Sequence, residues 1–283
     1  MIQRKSMWVI NHQGERIDIM DIHGIYPVSV SGFGTRVQLN IQETAGADGG
    51  TLVSSSIPTR PITFQLKSNV IEDKKKIKKA FRPKKDAWLY YSNEFGEVTR
   101  LQFQTEECEI SPIVFPVTAD VTIQCENPYF RSINDITVTL QGIRSYFSFP
   151  FTFPDGEFYI SKATTSQFTT INNKSDVDVG YVISLKAKSA VVNPSILNVD
   201  TNEKMQLQFE MQSGDEIQIS THAGEKSVEL IRNGERTNIL NYISQDFIFF
   251  PLYIGENLIK HDAESGLDAL EITLKYSECY TLE

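Results

Sequence analysis

VTADVTIQCENPYF, residues 117–130, is the stretch on which the fold turns. Val117, Ala119, Val121, Ile123 and Cys125 fall on one parity; Thr118, Asp120, Thr122 and Gln124 fall on the other. A period of two marks a β-strand with one buried and one wet face. Asn127-Pro128 stops the run, because proline has no ladder donor and restricts the residue before it. Tyr129 and Phe130 follow as an aromatic plug, and a new run begins near Ile133. The strand therefore reads as the last piece of a first domain and the hinge into a second.

Composition fits that division. With 283 residues, 40% hydrophobic and 11% aromatic, and a mean hydropathy of −0.25, the chain can bury a sizeable core in each of two domains. The net charge of −9 is uneven: residues 1–135 balance 16 Lys+Arg against 16 Asp+Glu, while residues 136–283 hold 11 against 20. An acidic second half argues against nucleic acid as its partner. Cys108, Cys125 and Cys279 are odd in number and lack CxxC spacing, which fits buried thiols made in a reducing compartment. The opening MIQRKSMWVINHQGE has no long apolar segment, so no secretory signal is expected. No apolar run approaches the ~20 residues of a membrane span.

Upstream of the opening stretch, residues 7–10 and 16–19 flank Asn11-His12-Gln13-Gly14 as a hairpin. Residues 26–33 read as a short strand or ordered loop. In residues 36–42, Val37, Leu39 and Ile41 alternate with Gln38, Asn40 and Gln42. Ile62, Phe64 and Leu66 repeat the pattern in residues 61–67, and the two strands are expected to pair. Between them, ETAGADGGTLVSSSIP (residues 43–58) is small, polar and glycine-rich, and predicts a long loop that carries a function or moves. Residues 69–82 predict the one helix, with Asn69 and Glu72 as a capping-box start, an apolar stripe of Val70, Ile77, Ala80 and Phe81, and Pro83 as the stop. Its other face carries Lys74, Lys75, Lys76, Lys78 and Lys79, read either as a solvated face or as a contact with an acidic neighbour. Residues 87–91 and 97–104 form a further hairpin, and residues 109–114 a strand before the opening stretch.

Downstream, short strands recur: residues 158–160, 167–171, 179–186, 195–199, 204–211, 216–220, 226–232, 247–250 and 270–276, with Asn233-Gly234 as a strong turn and residues 239–243 as one helical turn. Many short strands with polar turns predict a sandwich or jelly roll. Residues 141–157, rich in aromatics and proline, read as a linker or crossover, within a connecting region of residues 136–157. The expected class is mainly β: a β-sandwich or barrel with one helix over residues 1–135, then a jelly-roll, galectin-like sandwich over residues 158–283.

Catalysis requires convergent groups of tuned protonation, and the pattern offers none. His12, His23, His222 and His261 lie far apart without metal-ligand spacing. Glu106, Glu107 and Glu109 could supply a glycosidase pair, but a solvated strand edge explains them. Asp176 and Asp178 after Asn172-Asn173 lack the glycine and distal glutamate of a calcium loop. Residues 46–50 lack the Lys-Ser/Thr of a phosphate cradle, and no GxSxG motif is present. No catalytic residue, cofactor or metal is expected. Of the two tryptophans, Trp88 sits in an alternating strand and is expected in the core. Sugar recognition by the second half would have to rest on Tyr or Phe.

The order of elements over residues 1–135 resembles the distal tail protein (Dit) family of long-tailed bacteriophages. The matching features are the N-terminal hairpin, the alternating strand at residues 36–42, the loop with Gly46-Ala47-Asp48-Gly49-Gly50, Arg60-Pro61-Ile62-Thr63-Phe64, the Lys-rich helix and the hairpin from Trp88-Leu89-Tyr90-Tyr91 to Arg100-Leu101-Gln102-Phe103. The first half closes on Glu126-Asn127-Pro128-Tyr129, with Asn127 where the family commonly has Asp. The second half resembles the family's jelly-roll domain at Asn172-Asn173, residues 215–220, residues 228–234, Phe250-Pro251-Leu252 and Gly255-Glu256-Asn257.

The resemblance implies a structural, non-enzymatic virion protein at the tail tip, made in the bacterial host cytoplasm. It implies a homo-hexameric ring, contacts with the tail-tube protein above and the tail-associated hub protein below, and receptor-binding proteins or host cell-wall glycans as further partners. Residues 43–58 are then expected to be an arm reaching the adjacent subunit, with Asp48, Gly49, Gly50, Thr51 and Arg60 at the interface; a merely mobile loop is the other reading. The competing functions are a carbohydrate-binding module and, last, a β-sandwich glycoside hydrolase.

Overall fold

Alternation along the chain resolves, in a computed structural model, into strands that pair antiparallel and hide one face each. The structure describes residues 5–43, 45–46, 48–112, 115–140, 143–145, 161–163 and 167–281. The chain divides into two units, Met1–Ile133 with Cys279–Glu283, and Asn134–Glu278.

The first unit contains β1 (Ser6–Ile10), β2 (Arg16–Asp18), β3 (Ile25–Ser31), β4 (Gln38–Glu43), β5 (Gly50–Ser56), β6 (Arg60–Ser68), α1 (Asp73–Ala80), β7 (Asp86–Ser92), β8 (Val98–Ile110), β9 (Val117–Cys125) and β10 (Phe130–Ser132). One continuous sheet runs β2-β1-β7-β8-β9-β6-β3, with β10 beside β8. Its inner face is the apolar parity of each strand: Val9, Ile62, Phe64, Leu89, Phe103, Val121 and Ile123 are buried. Helix α1 closes that face with Ile77, Ala80 and Phe81, and the Phe81 ring lies 6.1 Å from Phe64 and 6.0 Å from Phe103. Each large apolar side chain buried this way contributes about 1.5–3 kcal/mol.

Three expectations are corrected here. The helix starts at Asp73, not at Asn69, and Val70 lies outside it, 36% exposed. The start is set instead by Ser68, whose hydroxyl accepts from the Val70 N–H at 3.0 Å and donates to the buried Asp73 carboxylate at 2.6 Å. Burial of Asp73 favours its neutral form, but Lys76 at 2.7 Å and the Ser68 hydroxyl outweigh it and hold the carboxyl below its usual range. β8 does not stop at Gln104; it continues to Ile110 past a bulge between Thr105 and Glu107, absorbing the separate strand expected at residues 109–114. Trp88 is not in the core: it is half-buried on the outward face, with the Arg100 guanidinium 4.9 Å from its ring centre. Trp8 lies on that face too, stacked on Tyr90 at 5.4 Å and covered by Arg16 at 4.2 Å.

The second unit contains β11 (Ile136–Thr139), β12 (Ile143–Ser145), β13 (Ser161–Ala163), β14 (Phe168–Asn173), β15 (Val182–Ala187), β16 (Val191–Val192), β17 (Ser195–Asn198), β18 (Glu203–Gln206), β19 (Glu210–Met211), β20 (Glu216–Ser220), β21 (Ser227–Arg232), β22 (Glu235–Asn238), β23 (Gly255–Asp262) and β24 (Leu270–Tyr276); β12 pairs with β13 and β16 with β19, and the others build two main sheets. Their orders are β11-β24-β15-β20-β21-β22 and β14-β23-β17-β18. Buried Ile183, Leu185, Ile219 and Leu274 come from the first sheet, and Ile171, Ile196, Met205 and Ile259 from the second. Asn233 and Gly234, both at positive φ (54° and 83°), make the β21–β22 turn. The start of the expected connecting region is a strand, since β11 pairs with β24. The aromatics Tyr146, Phe147, Phe149, Phe151 and Phe153, and the strand expected at residues 158–160, lie outside the described residues.

The last strand, β25 (Cys279–Tyr280), belongs to the first unit: Phe130 pairs with Tyr280 and Arg131 with Cys279. None of the three cysteines forms a disulfide, and burial pushes the Cys125 thiol up to about 12, so it stays protonated at neutral pH. No helix among the described residues is long and apolar enough to cross a membrane.

Candidate interaction site

β4 pairs with β5, not with β6, and the sequence expectation fails at this point. β6 is flanked by β3 and β9, so both of its edges are taken. The stretch at residues 43–58 is not a featureless loop: β5 lies within it, and the register runs from Gln38↔Ser56 to Glu43↔Gly50 with a bulge at Val53. β4 and β5 form a two-stranded sheet of their own, every residue of it exposed.

The arm is the distal half of one long hairpin. Its proximal half, β3 and β6, pairs as far as Ser31↔Thr63, past a register shift between Pro27 and Ser29, and forms the edge of the main sheet. Gly32 then breaks the ladder at φ +96°, where a Cβ would stand 2.1 Å from the Pro61 carbonyl oxygen. No other residue fits there. At the far end, Gly46 and Gly49 take positive φ, and a Cβ on Gly50 would come within 2.7 Å of the Ile41 side chain. These glycines serve the turn and a close strand approach. Asp48 and Gly49 lie in the tip turn, and Gly50 and Thr51 open β5, all exposed.

The arm's apolar side chains have no cover from their own unit. Val37, Leu39, Ile41, Leu52 and Val53 are 48–58% exposed. Val37, Leu39 and Ile41 share one face by period two, and Leu52 lies opposite Ile41. An isolated two-stranded sheet is marginal in water, and a clustered aliphatic surface with free strand edges marks an association site.

The root is held differently. Arg60, expected at a subunit interface, is instead buried, only 5% exposed. Its Nη1 donates to the carbonyls of Gly32 (3.1 Å), Phe33 (2.7 Å) and Gly34 (3.3 Å). Its Nε donates to Pro128 (2.6 Å), its Nη2 to Thr281 (2.8 Å), and its face lies 4.9 Å from the Phe130 ring centre. Burial pulls the guanidinium below its ordinary pKa, yet it stays a cation, neutralised by carbonyl dipoles. On the returning side, the Gln124 amide donates to the Thr59 hydroxyl at 2.6 Å. Beside this root lies a groove of about 690 Å³, lined by Val37, Leu39, Ile57, Pro58, Gln124 and Pro128 among others.

The chemistry candidates go elsewhere. Among the described residues, no three His, Cys, Asp or Glu side chains gather as metal ligands. Glu106, Glu107 and Glu109 are exposed on the bulged part of β8. The cluster around Asp176 is turn scaffolding: Asn173 donates to the Val177 and Leu252 carbonyls and accepts from the Ser175 N–H, and Asp178 accepts from the Ile254 N–H.

A family model described as the siphovirus-type tail component, C-terminal domain, matches residues 174–280. The crystal structure of the phage SPP1 Dit protein (gp 19.1), described as a paradigm of the hub adsorption apparatus in phages infecting Gram-positive bacteria, superposes with a TM-score of 0.70 at 11% identity, covering 98% of this chain and 99% of that one. A chain of the phage P2 baseplate in its activated conformation with calcium gives a TM-score of 0.57 at 11% identity, over 99% and 100% of the two chains. No curated protein matches by sequence.

Proposed function

We propose, from the match of residues 174–280 to the siphovirus-type tail component model and the likeness of the whole chain to the Dit fold, that this protein is a ring-forming structural hub of a phage tail tip. Six copies associate head to tail, the arm of each seated on its neighbour, and the ring joins the tail-tube protein on one side to the tail-associated hub protein on the other. Its place is the virion, and its work is assembly rather than catalysis. The observation that carries this reading is the arm, which leaves Val37, Leu39, Ile41, Leu52 and Val53 about half exposed beside or on the β4–β5 sheet, which no other strand joins among the described residues. A heterologous contact of that kind closes into a ring when the rotation per copy allows it. Exposure of Asp48, Gly49, Gly50 and Thr51 at the tip supports their assignment to the contact with the neighbour. Size exclusion with light scattering tests the reading: the expected species has six times the 32.1 kDa chain mass. A strict monomer at high concentration, unchanged by adding the tail-tube and hub proteins, overturns it.

Glycan recognition by the second unit is the other reading. It draws on Tyr242, 48% exposed and packed edge-to-face on Phe209 at 5.1 Å. In the first unit, Trp8 is covered by Arg16 and stacked on Tyr90. A glycan array in which Tyr242→Ala loses all signal would support sugar binding, and a blank array removes it.

A further inference from the structure

We propose that Arg60 is the positioning residue of the arm, and that the segment Cys279–Thr281 is the strut against which Arg60 fixes the arm's direction. The proposal deepens the ring reading, since a correctly aimed arm matters most if it must find a neighbour, but its geometry stands without a ring.

Among the described residues, Arg60 meets no carboxylate. All its acceptors are backbone carbonyls from three places: the Gly32–Gly34 link, Pro128 and Thr281. Only a planar guanidinium with five donors can bridge three such segments at once. A lysine ammonium has the charge but not the fork. Three of the five carbonyls belong to consecutive residues, and those residues are the outgoing foot of the arm. The grip on that foot is doubled, because the Thr35 hydroxyl donates to the same Thr281 oxygen that Arg60 reaches. Gly32 supplies the bend, with no room for a side chain against Pro61.

The strut is itself anchored. β25 hydrogen-bonds to β10, and Tyr280 stands opposite Phe130, the ring on which the guanidinium rests. The returning foot is pinned by Gln124 through Thr59. Both feet are therefore fixed to the sheet, whereas the blade beyond them is not. A residue serving only the core of the first unit would have no reason to turn its Nη1 onto three consecutive carbonyls of the link.

Hydrogen–deuterium exchange on the full chain, diluted until monomeric, tests the proposal. In Arg60→Lys, amides of residues 32–43 and 50–59 should exchange about tenfold faster, while those of β8 and β9 keep their protection. A chain ended at Glu278, with Arg60 intact, should show the same pattern, and Thr35→Val a weaker version of it. These two variants decide the matter if Arg60→Lys does not fold. Unchanged exchange at the arm, or a rise spread evenly over the whole sheet, overturns the proposal. Ring mass separates it from the ring reading: a freed arm with six-copy rings still formed leaves the clamp standing and removes the arm from assembly. Lost rings with a fully protected arm root refute the clamp alone.

Discussion

Strands β4 and β6 share one alternation and have opposite surroundings. In β6, Ile62, Phe64 and Leu66 are 0, 0 and 2% exposed; along the arm, Val37, Leu39 and Ile41 are 48, 54 and 52% exposed. β6 has a strand on each edge and α1 over its apolar face. β4 has only β5, as exposed as itself. A period of two says that one face is apolar; it does not say whose atoms will cover that face. For β6 the about 1.5–3 kcal/mol per side chain is realised on folding, while for the arm about half of each residue's surface stays exposed and that gain is not made within the described chain.

The largest effect that would break this contrast is in β6. Phe64→Ala should destabilise the first unit by about 3–5 kcal/mol, read as a fall in its urea midpoint; a loss below 1 kcal/mol would mean that β6 is not core. Next comes the bend between the two regions. Gly32→Ala must place a Cβ against Pro61 at positive φ, and about 1–3 kcal/mol of stability should go; an unchanged melt would deny the close approach.

A pH effect follows in size. His261 is wholly buried, neither ring nitrogen has a hydrogen-bond partner among the described residues, and burial lowers its pKa from the ordinary 6.5. The unfolded chain then binds the proton more readily, so this contribution is full above pH 6.5 and is lost as pH falls from there through the folded value. The second unit should weaken with a slope of at most about 1.4 kcal/mol per pH unit, and His261→Leu should flatten that slope in melts taken between pH 7 and pH 5 (values on the order of the histidine range). Smallest on the monomer is the arm itself: Ile41→Ser with Leu52→Ser should move its melt by less than about 0.5 kcal/mol while abolishing the larger species in light scattering. A strong destabilisation of the monomer would mean that the arm is folded onto its own body.

What could be read in advance follows from how local each signal is. β6, β9 and the β7–β8 hairpin are marked by alternation and turn chemistry within a few residues, and Asn233-Gly234 marks its turn by the positive φ it permits. β5 was hidden because Thr51-Leu52-Val53-Ser54-Ser55-Ser56 carries no alternation: exposed on both faces, it has no inside to record. Pairing β4 with β6 failed for the same reason, since both show the pattern and a partner is a long-range fact. Trp88 went astray because parity names two faces without saying which is the wet one, and an arginine lid makes an outward tryptophan tolerable. Arg60 was singled out from a resemblance, but its acceptors are backbone carbonyls, and a carbonyl leaves no mark in a sequence.

The pairing of β25 with β10 has a consequence in time. Between Ile133 and Cys279 the ribosome must make the whole of Asn134–Glu278, which takes roughly seven to thirty seconds at about 5–20 residues per second. Until then the first unit waits without its closing strand and the Thr281 oxygen. On the clamp and ring readings proposed above, a half-made chain would show its arm without aiming it, and the order of manufacture would disfavour premature joining to a finished neighbour.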